Sequence, residues 1–420
     1  MPLIRPPEES EEFASVQREV ARIAALPEVG AASSWLRHRE PQFAQWQLEM
    51  ARIPAPPFGE NARAEWLRDR FAELGLNDIC VDRVGNVFGL RGALGNHCVS
   101  LSAHLDTVFP AGTPLNIRQD GRRLYGPGVS DNAAGVTAML AVAAVLQEIK
   151  LSCRRPILFI GDVGEEGEGD LRGMRHIFAT PRWRDSIRAS VILDGAGSDT
   201  IVAEALGSRR FEVIVRGPGG HSWSDFGAPN PIVVLAGAVR EFSRVPVPSS
   251  PKTTFNVGVI RGGTSVNSIP ESASMRIDIR STSMAEMERL EAALRRALEQ
   301  AVEEESNAAE RRGSMPHRPY GLSSEVVPIG DRPAGELDRD AQILHVIHAV
   351  DTHLGNAAQI QRASTDANIP LSLGREAIAI GGGGTGGGAH TLQEWFDCGG
   401  RDLGLKRILL TVLALAGAGL

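Results

Sequence analysis

The sequence is poor in cysteine, and its four cysteines stand far apart at positions 80, 98, 153 and 398. They form no CxxC pair, which argues against a thiolate zinc site and against a disulfide framework. Runs of lysine and arginine are absent, and the formal net charge of −7 provides no positive field for nucleic acid. We therefore expect no nucleic-acid partner.

Long apolar segments are also missing. The apolar tail at 408–420 is shorter than the ~20 residues that a membrane-spanning helix needs, so we expect a helix packed on the core and no membrane partner. The first twenty residues are acidic and lack the apolar centre of a signal peptide. A cytoplasmic location is the resulting expectation.

Two common catalytic motifs do not occur. The sequence contains neither the GxSxG of serine hydrolases nor the GK[ST] of P-loop proteins. The stretch GGGGTG at 381–386 formally matches a dinucleotide-binding motif. Too little chain follows it to form the βαβ unit of such a site.

The length of 420 residues predicts two domains, since one hydrophobic core stops growing at ~250–300 residues. Short apolar runs without in/out alternation predict strands of a sheet that is covered on both faces, at 99–105, 157–160, 190–193 and 377–380. Helical patterns alternate with them, at 62–74, 132–149, 341–354 and 402–416. This alternation predicts an α/β fold with a mostly parallel sheet flanked by helices.

The order of elements changes in the middle of the chain. It becomes strand, helix, strand, strand, helix and weak strand, at 210–215, 230–242, 253–260, 272–279, 284–304 and 325–329. This βαββαβ order predicts an inserted α+β domain at 207–330. The catalytic domain would then comprise 1–206 and 331–420, and the polar segment 306–319 would be an exposed loop.

Acids and histidines follow several of the predicted strands. Ligands bind beyond the carboxyl ends of strands in open α/β sheets, so we expect these side chains to share one site. They are His104, Asp106, Glu165, Glu166, Asp194 and His390, together with Asp131 at the start of the Ala-rich helix.

Each of these residues alone has an ordinary structural explanation. Asp131 stands where a helix N-cap belongs, and Glu165 with Glu166 could form a solvated acidic turn. Asp194 could form a turn and His104 could be a core histidine, while His390 could flank a helix that starts at the capping-box pattern 391–394. Their coincidence at one sheet edge favours a functional site.

As a set, these residues have the chemistry of a two-metal centre. Two imidazoles and three carboxylates are ligands that suit Zn²⁺, with Mn²⁺ or Co²⁺ as substitutes. Five ligands serve two metals if one carboxylate bridges them. Asp106 lies on the same strand face as His104 and can orient its ring. One glutamate of the adjacent pair would remain off the metals as the general base.

Seven motifs in order resemble a family of di-zinc enzymes that includes peptidase T, carboxypeptidase G, aminoacylase and succinyl-diaminopimelate desuccinylase. The resemblance covers roughly residues 50–420, and GGHSWSDFG and GDRPAG look most like peptidase T. The motifs are HLDT (104–107), GPGVSDNAAG (126–135), GDVGEEGEGD (161–170), LDG (193–195), GGHS (219–222), NSIP (267–270) and AHTLQE (389–394).

The resemblance implies a role for each matching residue in the metal centre. Asp131 would bridge two zinc ions, and the peptide bond after it would be cis. His104 and Asp194 would complete one site, and Glu166 and His390 the other. Glu165 would be the general base. The family often has a second acid and a lysine after the bridging aspartate, where this chain has Asn132 and Ala133.

The resemblance also assigns roles outside the metal centre. The inserted domain would be a lid that forms a homodimer, and His221 would stabilise the oxyanion in the partner subunit's site. Asn267 and Arg280 would hold polar groups of the substrate, and Thr365 with Asp366 would line its pocket.

Three functions remain open from the sequence. The first is a metal-dependent exopeptidase that hydrolyses di- or tripeptides with a metal-bridged water activated by a glutamate. The second is an N-acyl amino-acid deacylase with the same chemistry. The third is a dimeric binding protein without catalysis. The motifs do not decide which end of a peptide would be read.

Overall fold

The structure is a computed structural model that describes residues 10–93, 95, 97–313 and 321–419. The chain forms two compact units, of which the smaller comprises Leu206–Ala334 and the larger the chain on either side. No helix among the described residues is long and apolar enough to cross a membrane.

The described residues form twelve α-helices. They are α1 (Glu11–Ala24), α2 (Pro27–His38), α3 (Glu40–Ala51), α4 (Asn61–Glu73), α5 (Ala133–Ile149), α6 (Arg172–Ala179), α7 (Pro181–Ser186), α8 (Pro231–Phe242), α9 (Met284–Arg311), α10 (Gln342–Leu354), α11 (Asn368–Ser372) and α12 (Arg401–Ala416).

Nineteen strands occur in the same described part of the chain. They are β1 (Asn77–Val81), β2 (Val87–Arg91), β3 (Cys98–His104), β4 (Arg118–Asp120), β5 (Arg123–Tyr125), β6 (Ile157–Asp162), β7 (Ile187–Leu193), β8 (Thr200–Ala205), β9 (Gly207–Arg216), β10 (Gly220–His221), β11 (Thr253–Gly262), β12 (Ser268–Ile269), β13 (Ser272–Ser281), β14 (Ser323–Arg332), β15 (Gly335–Glu336), β16 (Gln359–Ala363), β17 (Glu376–Ile380), β18 (Thr385–Gly387) and β19 (Trp395–Asp397).

The larger unit is built on a sheet of order β1-β2-β6-β3-β7-β17-β8-β15, in which β16 also pairs with β8. Its centre is parallel, because β3 pairs in parallel with β6 and β7, and β17 pairs in parallel with β7. The pairs β1–β2, β2–β6, β17–β8 and β15–β8 are antiparallel. All residues of β3 and β6 are buried, as their apolar sequences predict. The predicted α/β class with a mostly parallel sheet is confirmed.

The smaller unit has a four-stranded antiparallel sheet of order β11-β13-β9-β14. Helices α8 and α9 pack against it around a core of its own. The predicted order of two helices and four strands is confirmed. The short strands β10 and β12, which pair with each other, were not predicted.

Two differences from the predicted elements concern helices. Helix α9 continues to Arg311, so residues 306–311 are helical and the loop prediction for them is wrong; Ala309 is buried and extends the apolar stripe. The rest of that segment lies largely outside the described residues. Helices α1–α3 were not predicted, although their apolar residues belong to the core of the larger unit.

Candidate metal centre

Three neighbouring parallel strands deliver most of the candidate ligands. His104 is the last residue of β3, Asp194 directly follows β7, and Glu165 and Glu166 follow β6. Because β6 and β7 flank β3 in parallel, their carboxyl ends meet at the same edge of the sheet. The parallel pairing of these strands therefore brings together side chains that are far apart in the sequence.

The other two candidate ligands come from a small antiparallel sheet of order β18-β19-β5-β4. Asp131 lies in the loop after β5, and His390 lies between β18 and β19. The cap of helix α5 is Asn132, whose side chain accepts a hydrogen bond from the Gly135 N–H. The ordinary explanation of Asp131 as the N-cap is therefore wrong, and its carboxylate is available to the centre.

Asp131 lies between the two histidines. Its Oδ1 is 3.2 Å from Nε2 of His104, which is 3.9 Å from Oδ1 of Asp194. Its Oδ2 is 3.1 Å from Nε2 of His390, which is 3.0 Å from Oε1 of Glu166. Each carboxylate oxygen of Asp131 thus faces a different pair of side chains.

This geometry fits two cations. His104, Asp131 and Asp194 form one group, and Asp131, Glu166 and His390 form another, with donor atoms within 4.8 Å of one another in each group. Oδ1 of Asp131 is buried without a hydrogen-bond partner, which would be costly unless a ligand satisfied it. The donors are nitrogen and oxygen atoms, as borderline divalent cations prefer.

The pKa values show how strongly these groups interact. Burial disfavours the charged ring of His104, but the neighbouring acids Asp106, Asp131 and Asp194 raise its pKa well above the ordinary value. The hydrogen bond to Asp131 is the main cause that raises the pKa of His390 to about 9. Burial and the charge of Asp131 raise the pKa of Glu166 to about 7. A bound cation would take the place of these protons.

Asp106 is fully buried and contacts both His104 at the end of β3 and the loop that follows β6. Its carboxylate accepts hydrogen bonds from the main-chain N–H groups of Glu165 at 3.0 Å and Glu166 at 2.8 Å. Nδ1 of His104 is 3.6 Å from Oδ1 of Asp106 and 3.2 Å from its carbonyl oxygen. Asp106 therefore holds the loop of the two glutamates as well as facing the ring of His104.

Asn132 stands where the family often has a second acid, and the structure shows what its side chain contacts. Its side chain donates to the Leu193 carbonyl at 2.9 Å and accepts from the Gly195 N–H at 3.1 Å. The amide thus binds the chain on either side of Asp194. The peptide bond between Asp131 and Asn132 is cis, as the resemblance implied.

Of the three candidate residues in the smaller unit, His221 and Asn267 lie close together, whereas Arg280 lies elsewhere in the unit. His221 in β10 pairs with Ser268 in β12, and the Asn267 carbonyl accepts from the Ser222 N–H at 3.0 Å. Arg280 lies near the far end of β13, where its Nε is 2.6 Å from Oδ2 of Asp278.

Thr365 and Asp366 are buried in the larger unit. The Thr365 N–H donates to the Asn368 side chain at 2.9 Å. Asp366 is only 1% exposed, and burial together with the nearby Asp162 raises its pKa well above the ordinary value. The role of both residues toward substrate stays a prediction.

Two residues of the site were not found from the sequence. Glu394 and Arg63 are buried behind the loops that bear the candidate ligands. Glu394 was recognised only as the last residue of the capping-box pattern 391–394, which was interpreted as a possible helix start. No helix begins there, because β19 follows directly at Trp395. Arg63 had no signal, since it lies in an ordinary amphipathic helix.

An α/β sheet with such a nitrogen and oxygen donor cluster at its carboxyl edge is typical of metal-dependent hydrolases. Within that class, the chain belongs to peptidase family M20/M25/M40, whose model matches residues 100–413. The match contains every candidate ligand. The predicted relationship to the peptidase T and carboxypeptidase family is thereby confirmed.

Known proteins resemble the chain in sequence and in fold. A probable carboxypeptidase of Aspergillus clavatus is 32% identical over 203 residues, which are 43% of this chain and 44% of that protein. The chain thus spans about half the length of the curated relatives it matches first. The aminopeptidase PepT of Bacillus cereus has a TM-score of 0.69 at 20% identity, covering 90% of this chain and 99% of that one. A dinuclear metal-binding M20 peptidase of Bacillus subtilis has a TM-score of 0.64 at 14% identity, covering 90% and 99%.

Proposed function

We propose that the protein is a metal-dependent exopeptidase that hydrolyses an amide bond at one end of a di- or tripeptide. The observation that carries this proposal is the position of Asp131, which is shared by two ligand groups beside the buried Glu165. Membership of a peptidase family supports a peptide substrate. The similar proteins are named for opposite ends of a peptide, so the end is left to experiment.

The chain would hold its two cations with five side chains. Asp131 would bridge them, His104 and Asp194 would complete one site, and Glu166 and His390 the other. We propose Zn²⁺ as the native ion because imidazole and carboxylate ligands suit it, with Co²⁺ or Mn²⁺ as substitutes. When bound, such a pair polarises the scissile carbonyl and lowers the pKa of the attacking water.

Glu165 would be the general base. It lies near His104 and Glu166 but does not belong to either group that contains Asp131. It would accept a proton as the water oxygen bonds to the carbonyl carbon, and would donate it to the amine nitrogen as the C–N bond breaks. Its position is set by Asp106, which accepts a hydrogen bond from its N–H.

We also propose a homodimer that forms through the smaller unit. Strand β11 is at the edge of its sheet, and no strand among the described residues pairs with its outer side. Val259 and Ile260 on this strand and Ile232 and Val233 on α8 are exposed apolar side chains. A long unprotected edge favours pairing with another chain, and a second copy would cover it.

The separation of His221 from Arg280 supports a site shared between two copies. In register, Arg216 pairs with Ser272 at one end of β13, and Ser208 pairs with Arg280 near the other. The eight residue-to-residue steps from Ser272 to Arg280 span about 26 Å in a strand. His221 follows the Arg216 end, so one short peptide would not reach His221 and Arg280 of the same unit. Two subunits would each contribute one of them.

The hydrogen bonds of His221 suit an oxyanion donor. The main-chain N–H of Trp223 donates to the ring Nδ1 of His221 at 3.2 Å. Oδ2 of Asp225 accepts from the main-chain N–H of His221 at 2.7 Å. With Nδ1 an acceptor, the neutral ring carries its proton on Nε2. That N–H would stabilise the oxyanion, and Asn267 would contact the same substrate.

A reducing compartment such as the cytoplasm is also proposed. All four cysteines are free, which is typical of proteins that are kept reduced.

Four alanine compounds test the activity after loading with Zn²⁺, Co²⁺ or Mn²⁺. They are trialanine, N-acetyl-trialanine, trialanine amide and N-acetylalanine. An aminopeptidase would cleave trialanine and its amide but not the acetylated peptide, and a carboxypeptidase would fail on the amide. Acetate release from N-acetylalanine would instead support the deacylase. If metal-loaded protein turned over none of them, the exopeptidase proposal would fail in favour of a binding protein.

A further inference from the structure

Glu394 makes an unusual set of contacts behind the metal centre. Its side chain is fully buried, and its carboxylate accepts hydrogen bonds from three main-chain N–H groups. Oε2 is 2.7 Å from the nitrogen of Gly128, and Oε1 is 2.7 Å from the nitrogens of both Ser130 and Asp131. One side chain therefore holds almost the whole loop that ends in Asp131.

The same residue also belongs to the loop of His390. It lies four residues after His390, and its carbonyl oxygen accepts from the Gly126 N–H at 2.9 Å. The next residue, Trp395, pairs with Tyr125 in the small antiparallel sheet. Glu394 thus joins the two loops whose ligands, Asp131 and His390, approach each other at 3.1 Å.

Burial of the Glu394 carboxylate raises its pKa to about 7, although the hydrogen bonds from the N–H groups of Asp131, Gly128 and Ser130 act to lower it and offset part of the cost of burial. Removing such a charge from water costs several kcal/mol, and charge-assisted hydrogen bonds offset that cost. The buried guanidinium of Arg63 adds favourable electrostatic interactions with Glu394 and Asp106. Arg63 itself donates to the carbonyls of Ile53 and Leu105, each at 2.8 Å. The positive charge of Arg63 thus acts on two buried acids, Asp106 and Glu394.

The backbone of the loop explains why an acceptor is needed. Gly128 has φ +76°, and a Cβ there would lie 2.9 Å from Cγ2 of Thr107. The N–H groups of Gly128, Ser130 and Asp131 all donate to the side chain of Glu394. A carboxylate with two oxygens satisfies all three together.

We propose that Glu394 is a positioning residue that holds the main chain of Asp131 so that each carboxylate oxygen faces a different cation. Glu394 is not itself a ligand. Its loss therefore weakens both cation sites together, because Asp131 is common to both. This inference rests on the two-cation centre of the proposed function.

The test is a Co²⁺ titration of metal-free protein, followed by the visible spectrum of the bound ion. Glu394→Gln keeps the size of the side chain but replaces one acceptor oxygen with an NH₂ donor. We expect both dissociation constants to rise about 10- to 100-fold, the usual effect of losing a partner that orients a ligand. The Co²⁺ spectrum should also change, since the geometry at Asp131 changes.

A matched control is Glu376→Gln. Glu376 is a partly buried acid of the same unit whose carboxylate accepts the Ile343 N–H at 3.0 Å, away from the candidate ligands. This variant should keep the wild-type spectrum and affinities. Circular dichroism of each metal-free variant checks that it is folded, and Glu394→Asp replaces Glu394→Gln if the latter is not.

Metal binding by the wild type tests the two-cation centre, and metal binding by the Glu394 variants tests the positioning role of Glu394. If the wild type bound fewer than two Co²⁺ ions per chain, the two-cation centre itself would be wrong. If the wild type bound two and a folded Glu394 variant bound them with unchanged affinity and spectrum, only the positioning role would be overturned. A fall in thermal stability with unchanged Co²⁺ binding would likewise reduce Glu394 to a structural residue.

Discussion

The carboxylate of Asp106 accepts a hydrogen bond from the main-chain N–H of Glu166 across 2.8 Å. Its second oxygen accepts from the N–H of Glu165 at 3.0 Å. A buried acid just after β3 therefore sets the position of the two glutamates that follow β6, the neighbouring strand. Any change in its acceptors would move the proposed base.

Asp106→Asn tests this arrangement. An amide has only one acceptor oxygen, so one of the two N–H groups would lose its partner. We expect turnover at saturating metal to fall about 10- to 100-fold, as is usual when a residue that orients a site is changed. Steady-state kinetics with metal analysis measures this effect. Wild-type turnover would contradict the role of Asp106.

The metal content follows from the two ligand groups that share Asp131. We expect about two divalent ions per loaded chain, at the short spacing typical of two-metal hydrolases. Asp131→Ala should lose both ions, whereas Asp194→Ala should lose mainly one, because Asp194 belongs to a single group. Elemental analysis of gel-filtered protein measures the stoichiometry. Fewer than two ions per chain in the loaded wild type would refute a two-metal centre.

The two adjacent glutamates should differ when each is changed to glutamine. Glu165→Gln should keep both metals and lose at least ~10²-fold in turnover, the usual contribution of a general base. Glu166→Gln should weaken metal retention instead, because Oε1 of Glu166 faces His390 at 3.0 Å. Parallel metal analysis and kinetics separate the two effects.

The exposed Glu168 of the same loop provides the control for this pair. Glu168→Gln should keep both metal content and activity. Reversed phenotypes for Glu165 and Glu166 would show that their roles are exchanged, while the metal centre would remain.

The proposed trans role of His221 is tested by mixing subunits. His221→Ala should bind metal normally and lose ~10²–10³-fold in turnover, the usual effect of removing one oxyanion donor. Mixing it with Glu165→Gln would create hybrid dimers in which one site has both intact residues. Random exchange makes half the dimers hybrid, so about a quarter of wild-type activity should return.

Subunit exchange must be verified in that experiment, for instance with two differently tagged chains. Exchange without any recovery of activity would exclude the trans role. His221 would then act within its own chain or have no part in catalysis.

The sequence determined the ligand chemistry and the order of the main elements. Largely apolar runs without in/out alternation, such as β3 and β6, indicate buried parallel strands. Ligands bind at the carboxyl ends of such strands, so His104, Glu166 and Asp194 were predictable as neighbours. Motif order then indicated the family. These inferences depend on local composition and on short spacings, both of which a single sequence displays.

Only the tertiary structure decided which side chains support the ligands. Helix α5 could have been capped by Asp131 or by Asn132, and hydrogen bonds formed after folding assign the cap to Asn132. Arg63 lies more than three hundred residues from Glu394 in the chain, so no local pattern relates the two. Hydrogen bonds and charge interactions between distant segments depend on folded distances. For that reason the sequence indicated the candidate ligands but not the residues that hold them in position.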